Sequence, residues 1–174
     1  AQSTGTIAPS RHNKHKWVLV YGDNNPNHPL VAIACASKLK FDVVAVDADR
    51  GKLPMIQEMF PGTNFASYTK LAAYPFLRLL GRTAVNFYPK EWIGTARQQI
   101  SCAVVGTPCI GNAHSHTQRR LYPDWLGFDI YDVDGMAEAA RRLLGDAAEY
   151  DRVAMAAFEK SAFYGLENTK RRFV

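Results

Sequence analysis

A helix framed by two short apolar stretches is the feature that most constrains how this chain folds. The segment 83–88 is apolar and ends at Pro89, which cannot donate a hydrogen bond to a neighbouring strand. A helical pattern opens at Gly94, Gly106 is placed to end it in the left-handed conformation, and an apolar strand follows at 109–111. This order of strand, loop, helix, turn and buried strand is typical of a parallel sheet covered by helices.

The loop that precedes this helix is the predicted ligand site. A helix that follows a parallel strand presents free N–H groups and the positive end of its dipole at the edge of the sheet. Gly94 allows a ligand to approach the backbone, and Arg97 in the first turn is able to bind a phosphate through two hydrogen bonds. Ile100, Ala103 and Val104 lie on one side of the pattern and predict its buried face.

Predicted strands and helices alternate along the rest of the chain. The predicted strands are 17–21, 41–46, 64–68, 83–88, 109–111 and 128–132, and the predicted helices are 30–40, 53–60, 71–80, 94–105, 135–144 and 147–164. Asp134 and Asp146 are the predicted N-caps of the last two helices, and no regular element is predicted between residues 112 and 127. The alternation predicts an α/β fold, a doubly wound parallel sheet of about six strands with helices on both faces, Rossmann-like in type.

Composition and charge narrow the class of protein. Residues 1–16 are polar, basic and aperiodic and predict a flexible leader, which leaves 17–174 as one domain. No apolar run approaches the ~20 residues that span a bilayer, so we predict no transmembrane segment and a cytoplasmic location. The net charge of +5 suits an anionic ligand. No basic stretch interleaved with aromatic residues is present, so we predict no nucleic-acid partner.

Cysteine and histidine positions do not predict a metal centre. Cys35, Cys102 and Cys109 are odd in number and lack zinc-type spacing, so we expect small buried thiols rather than reactive ones. His114 and His116 are two residues apart without an acidic or cysteine neighbour, which favours substrate contact over metal binding. No metal and no cofactor are therefore predicted.

The run S-C-A-V-V-G-T-P-C-I-G-N at 101–112 resembles a motif of the group 1 glycosyltransferases, which have the GT-B fold. The nucleotide-sugar-binding half of that family carries E-G-x-G and then E-A-x-A-x-G-x-P-V-I, and the order of elements from Trp17 to Phe173 fits that half. In the family, the helix N-terminus holds the donor's diphosphate and the two glutamates contact ribose and sugar. Ile93 and Ser101 occupy the glutamate positions here, and the loop 22–29 lacks the basic pair usual in the family.

The resemblance implies which residues would bind the donor. The residues assigned to the diphosphate are Gly94, Thr95, Ala96, Arg97 and Lys90. Those assigned to ribose or sugar hydroxyls are Gln98, Ser101, Glu91, Asn112, His114 and Gln118. The loop after the first strand adds Gly22, Asp23 and Asn24, and the nucleobase would lie against Tyr68 and Lys70.

The function implied by the resemblance is that of a glycosyltransferase donor-binding domain, which transfers a sugar from a nucleotide-diphosphate sugar to an unknown acceptor. The leaving diphosphate would be stabilised by helix N–H groups and Arg97, with no required cofactor. The acceptor side would come from a second Rossmann-like domain, a partner chain or a homo-oligomer. Two alternatives are a non-catalytic nucleotide- or sugar-phosphate-binding module that kept the fold, and an unrelated α/β domain.

Overall fold

The computed structural model describes residues 14–21, 27–46, 52–91 and 94–165. The strands are β1 (Trp17–Tyr21), β2 (Asp42–Val46), β3 (Phe65–Tyr68), β4 (Asn86–Tyr88), β5 (Cys109–Asn112) and β6 (Gly127–Phe128). The α-helices are α1 (Asn27–Leu39), α2 (Leu53–Met59), α3 (Ala73–Gly81), α4 (Arg97–Val104), α5 (His116–Leu121), α6 (Val133–Gly145) and α7 (Ala147–Ser161). Short 3-10 helices lie at Asp124–Leu126 and Ala162–Tyr164.

The strands in the described part of the chain pair in parallel and form two groups of three. β2 pairs with β1 and β3, and β5 pairs with β4 and β6. A bridge between His15 and Thr83, just before β1 and β4, joins the groups and gives the strand order β3-β2-β1-β4-β5-β6. This is the doubly wound order, so the predicted fold class is confirmed, although the ladder between β1 and β4 is limited to that bridge.

Helices cover both sides of the strands and enclose an aliphatic core. α1 packs on α6, whereas α4 packs on α3, α5 and α7. Val18, Leu19, Val43 and Ile110 on the strands are completely buried or nearly so. Such strands read as continuous apolar runs because neither face of a parallel sheet meets water.

Several sequence-based boundaries are confirmed. β1 has the predicted bounds, and Gly106 has φ +65°, the left-handed conformation expected after α4. α7 begins at Ala147, and the Asp146 side chain accepts a hydrogen bond of 3.0 Å from the Glu149 N–H. The three cysteines are buried and free, as predicted.

The prediction around α6 was wrong by two residues. α6 begins at Val133, and its N-cap is Asp132, whose side chain accepts from the Gly135 N–H at 2.9 Å. Asp134 lies inside the helix and instead pairs with Lys38 at 2.8 Å. The predicted strand 128–132 is therefore reduced to β6, because residues 129–132 turn into the helix.

Two further differences concern α4 and α5. α4 begins at Arg97 rather than Gly94, and Gln99, Cys102 and Ala103 form its buried side. Val104, predicted to be buried, is 46% exposed. α5 was not predicted at all, because its sequence H-T-Q-R-R-L has almost no apolar residue to mark a buried face.

Part of the predicted leader contacts the fold. Lys14 Nζ donates to the Gly81 carbonyl at 2.6 Å and to Thr107 Oγ1 at 3.0 Å, and His15 forms the bridge to Thr83. The rest of the predicted leader, residues 1–13, lies outside the described residues. Among the helices that the structure describes, none has the length and apolar character to cross a membrane.

Candidate functional site

An open cleft of about 790 Å³ lies where β4 ends and α4 begins. The first turn of α1, the residues after β4, the first turn of α4, and the segment that leads into α3 form its walls. The lining residues are His28, Leu71, Ala73, Phe76, Tyr88, Lys90, Thr95, Ala96, Arg97, Gln98 and Ser101. The cleft therefore opens at the carboxyl ends of the strands, next to the crossing from β1 to β4, where doubly wound folds bind ligands.

The N-terminus of α4 offers backbone donors to this cleft. Ala96 is the N-cap residue, with φ −104° and ψ 103°, and no side chain caps the helix. The first internal bond of the helix runs from the Ile100 N–H to the Ala96 carbonyl. Among the described residues, the N–H groups of Arg97 and Gln98 have no hydrogen-bond partner, as expected of a first helical turn.

One amide assigned to the ligand has an internal partner instead. The Ala96 N–H donates to Thr117 Oγ1 at 2.9 Å, and Ala96 is only 2% exposed. The Thr117 hydroxyl on α5 therefore fixes the turn into α4 and removes the Ala96 N–H from the candidate donors. The next two amides, at Arg97 and Gln98, remain as donors in the first turn of the helix. Of the other two residues whose amides were assigned to the ligand, Thr95 lines the cleft and Gly94 does not.

The side chains that line the cleft carry positive charge. Arg97 is exposed, and Lys90 is half-buried with its Nζ 5.3 Å from the centroid of the Tyr88 ring. No aspartate or glutamate is among the described residues that line the cleft. This donor set suits a phosphate or carboxylate ligand, and its described members include none of the carboxylates that Mg²⁺ and Ca²⁺ sites use.

A buried polar network fixes α4 against α5 behind the cleft. Gln99 Nε2 donates to Gln118 Oε1 at 2.7 Å, and Gln99 Oε1 accepts from Ser115 Oγ at 3.1 Å. Gln118 Nε2 donates to the carbonyls of Cys109 and Leu126, at 3.1 and 2.9 Å. Gln118 was assigned to sugar hydroxyls, but it is 1% exposed and its side-chain amide makes its hydrogen bonds inside the fold.

Gly111 on β5 is packed against this network. A Cβ atom at Gly111 would lie 2.8 Å from Gln99 Nε2, 2.9 Å from the Tyr88 carbonyl oxygen and 3.0 Å from Gln118 Oε1. Carbon atoms do not approach these groups so closely without displacing them. The glycine therefore allows the two glutamine side chains to lie directly on the strand.

Asn112 also serves the fold at the edge of the cleft. Its Nδ2 donates to the Lys90 carbonyl at 2.9 Å, and its Oδ1 accepts from the His114 N–H at 2.9 Å. Asn112 is 5% exposed, so it holds the loop after β4 against the loop after β5. His114 is exposed and is not among the residues that line the cleft.

The remaining predicted residues fall into three groups. Gln98 and Ser101 line the cleft, as the assignment to ribose or sugar requires. Glu91 is exposed, and its Oε1 accepts from the Tyr131 hydroxyl at 3.3 Å. Tyr68 and Lys70 are exposed at the end of β3 and do not line the cleft, whereas Gly22, Asp23 and Asn24 lie outside the described residues.

Five cleft residues were missed from the sequence, among them Ala73 and Tyr88. His28 in the first turn of α1 and Leu71 and Phe76 near α3 line the cleft together with Arg97. The signal for His28 was its place directly after the loop that follows β1, because β1 lies next to β4 in a doubly wound sheet. Leu71 and Phe76 carried no such signal, since their segment crosses over from β3 at the far edge.

The buried ionisable groups near α4 are held in their neutral forms. Burial raises the pKa of Cys102 well above its usual range, and the neighbouring Cys109 adds to the shift. Burial also raises the pKa of Tyr122, whose hydroxyl donates to the Gln99 carbonyl at 3.1 Å. A thiolate is the reactive form of cysteine, so Cys102 is a packing residue rather than a nucleophile.

Comparison with known proteins finds similarity in structure alone. No profile of a known protein family matches the sequence, and no curated protein matches it significantly. TarM of S. aureus, solved in complex with UDP, superposes with a TM-score of 0.74 at 12% identity, over 93% of this chain and 35% of TarM. Sucrose-phosphate synthase of Thermosynechococcus elongatus gives 0.76 at 14% identity, over 91% of this chain and 44% of the synthase.

A third solved structure is of nearly the same extent as this chain. The catalytic domain of cholesterol-α-glucosyltransferase from Helicobacter pylori superposes with a TM-score of 0.71 at 11% identity, over 86% of this chain and 98% of that domain. This chain thus spans about a third to a half of the first two proteins and matches one of their two halves. At these identities the likeness is one of fold.

Proposed function

Because the chain has the fold of one half of a GT-B glycosyltransferase, we propose that its cleft binds the diphosphate of a nucleotide sugar. The chain is then the donor-binding part of an enzyme that transfers a sugar to an acceptor. The observation that supports this proposal most strongly is the N-terminus of α4, where the amides of Arg97 and Gln98 and the Arg97 side chain face one open cleft.

The chemistry of the cleft agrees with a diphosphate leaving group. As the bond between sugar and diphosphate breaks, negative charge builds on the phosphate oxygens, and fixed donors stabilise that charge without rearranging. Arg97 is able to give two parallel hydrogen bonds to a phosphate, and Lys90, in the segment after β4, adds a second positive charge to the lining. This mechanism requires no metal or other cofactor.

Gln98 and Ser101 are the proposed contacts for ribose or sugar hydroxyls. Both are half-buried and line the same cleft as Arg97, one and four residues farther along α4. An amide and a hydroxyl each donate and accept, so they suit vicinal hydroxyl groups. The acceptor would bind on a second Rossmann-like domain, a partner chain or another copy of this chain.

A second candidate function is binding without catalysis. Ser101 stands where the resembling family has a glutamate, and no described residue of the cleft lining is a carboxylate. A nucleotide- or sugar-phosphate-binding module that kept the fold would show this pattern. Release of free nucleotide from a nucleotide sugar during incubation separates the two: turnover supports the transferase, and saturable binding without turnover supports the module.

Calorimetric titration with UDP, GDP and ADP tests the proposed site. One of these nucleotides is expected to bind, and Arg97→Gln is expected to weaken that binding by about 1–3 kcal/mol because a charge-assisted contact is lost. Arg119→Gln removes the same charge from the exposed side of α5 and is the matched control. Equal affinity of the Arg97→Gln variant and the control would move the phosphate site elsewhere.

A further inference from the structure

A second cleft, of about 570 Å³, lies at the amino ends of the strands, whereas the first lies at their carboxyl ends. It is formed by the residues that precede β1, β2 and β4 and by the last turns of α1 and α6. Its apolar lining consists of Leu39, Phe41, Ala84, Leu144 and Tyr150. Its cationic lining consists of Lys14, Lys16, Lys38, Lys40 and Arg141. We call this second cleft the basic cleft. No acidic residue is among the described residues that line it.

Two of these cations have carboxylate neighbours outside the lining. Lys38 Nζ lies 2.8 Å from Asp134 Oδ1, and Arg141 Nη1 lies 2.8 Å from Glu138 Oε2. The four side chains are between 45% and 85% exposed, so these ion pairs are weak and easily exchanged. A phosphate group in the cleft would accept charge-assisted hydrogen bonds of the same kind from these donors.

Lys14, Lys16 and Lys40 have no carboxylate partner in the described part of the chain. Lys14 Nζ is held by neutral acceptors, the Gly81 carbonyl and Thr107 Oγ1. Lys16 and Lys40 are exposed at the rim. The positive charge of these three side chains is therefore not balanced within the described fold.

The backbone conformation of Lys40 is a further reason to expect that its side chain has a role in binding. Lys40 follows α1 with φ +55°, in the left-handed region that favours glycine. Cations near helix C-termini compensate the helix dipole, which accounts for Lys38 in the last turn of α1. That explanation does not extend to Lys14 and Lys16, which precede a strand.

We propose that the basic cleft is a second anion site, which binds a small ligand carrying two or more phosphate groups. Its volume lies in the usual range for small-molecule sites, about 300–1,000 Å³. Several cations around one concavity bind a multiply charged ligand far better than a single phosphate, because each added phosphate engages another donor. The apolar lining would pack against the carbon skeleton of such a ligand. The site is independent of the cleft at α4.

Calorimetric titration with inorganic tripolyphosphate tests the proposal, in an Arg97→Gln background that disables the first cleft. Saturable one-to-one binding is expected, and Lys16→Gln combined with Lys40→Gln should weaken it at least tenfold. Lys160→Gln, which removes a lysine from the exposed side of α7, should change affinity less than twofold. Absence of binding, or equal affinity in the double variant and the control, would overturn the proposal.

Lys40→Gly separates a binding role from a structural one. Glycine suits the left-handed backbone, so this variant should be at least as resistant to heat as the parent yet bind tripolyphosphate more weakly. Unchanged affinity in this variant would show that Lys40 does not contact the anion. Phosphatidylcholine vesicles with and without phosphatidylinositol bisphosphate identify the source of the phosphate groups. Co-sedimentation with the phosphoinositide vesicles that is lost in the double variant indicates a lipid headgroup. No co-sedimentation, with tripolyphosphate binding retained, indicates a soluble ligand.

Discussion

Replacing the buried amide of Gln118 by a carboxyl group tests whether the network beneath α4 holds the fold together. Gln118 Nε2 donates to the carbonyls of Cys109 and Leu126, at 3.1 and 2.9 Å. Gln118→Glu keeps the shape of the side chain but turns this donor into an acceptor. Both carbonyls then face an oxygen, and at neutral pH the oxygen carries negative charge in a site that is 1% exposed.

The expected loss is large compared with the stability of a typical domain. A buried carbonyl left without a donor costs about 1–3 kcal/mol, and two carbonyls are affected. A buried charge without a partner costs a similar amount again, so we expect a total loss of at least about 3 kcal/mol at pH 7.5. Total free energies of unfolding are commonly about 5–15 kcal/mol.

The pH dependence identifies the cause. Burial should raise the pKa of the introduced carboxyl above its unfolded value of about 4.3, so its charge penalty is complete above the raised pKa and declines as pH falls toward the unfolded value. At pH 5 the charge penalty should be about 1 kcal/mol, because each pH unit above the unfolded pKa contributes about 1.4 kcal/mol.

Urea unfolding followed by circular dichroism at pH 7.5 and pH 5 measures both effects. Arg119→Gln on the exposed side of the same helix is the control, and its change should stay within about 0.5 kcal/mol. A loss below about 1 kcal/mol at both pH values would refute the buried network as described.

Three other predictions concern single positions. Gly111→Ala should lower the free energy of unfolding by about 1–3 kcal/mol, because its Cβ would meet the Tyr88 carbonyl oxygen at 2.9 Å; an unchanged urea midpoint would contradict that packing. Asp132→Ala should cost about 0.5–2 kcal/mol in the same assay as the loss of an N-cap, and a larger cost for Asp134→Ala would reverse the assignment of the cap. Burial lowers the pKa of Lys14 from 10.5 to about 8, so between these values the unfolded chain binds the extra proton and stability rises with pH. Between pH 8 and pH 10.5 the free energy of unfolding of the wild type should therefore rise by up to about 3 kcal/mol relative to that of Lys14→Met. If the free energies of the two proteins changed in parallel with pH, this prediction would be wrong.

The fold was predictable where local sequence and tertiary packing agree. The apolar run of β1 has no other stable place than the centre of a sheet, and Gly106 adopts the left-handed conformation that its position after a helix suggested. Asp146 caps α7 as predicted, because no other Ser, Thr, Asn or Asp within three residues competes for the cap. These signals lie within a few residues of the structure that they specify.

The prediction failed where polar residues are buried or where two similar residues compete. Gln99 and Gln118 are polar yet buried, since each satisfies the other, and periodicity of apolar residues does not reveal such a pair. Asp132 and Asp134 are both suitable caps, and only the three-dimensional turn after β6 selects the first. Because the sequence does not reveal that Gln118 is buried, it was assigned to the ligand, although its hydrogen bonds lie within the fold.

The candidate site was predictable in part. Arg97, Gln98, Ser101 and Lys90 line the cleft because they flank one helix start, a local feature of the sequence. Phe76 reaches the same cleft from the far side of the sheet, and its position depends on how the segment after β3 crosses over. Contacts of that kind depend on the complete topology and have no local signature.

The most direct test of the account is the response of backbone amides to nucleotide, observed by NMR on the isotope-labelled chain during titration with UDP, GDP and ADP. A diphosphate held at the start of α4 should produce its largest amide shifts at Arg97 and Gln98, and the Ala96 amide, which donates to Thr117, should shift less. Shifts centred on other residues, with those of Arg97 and Gln98 unchanged at saturation, would contradict the proposed donor site.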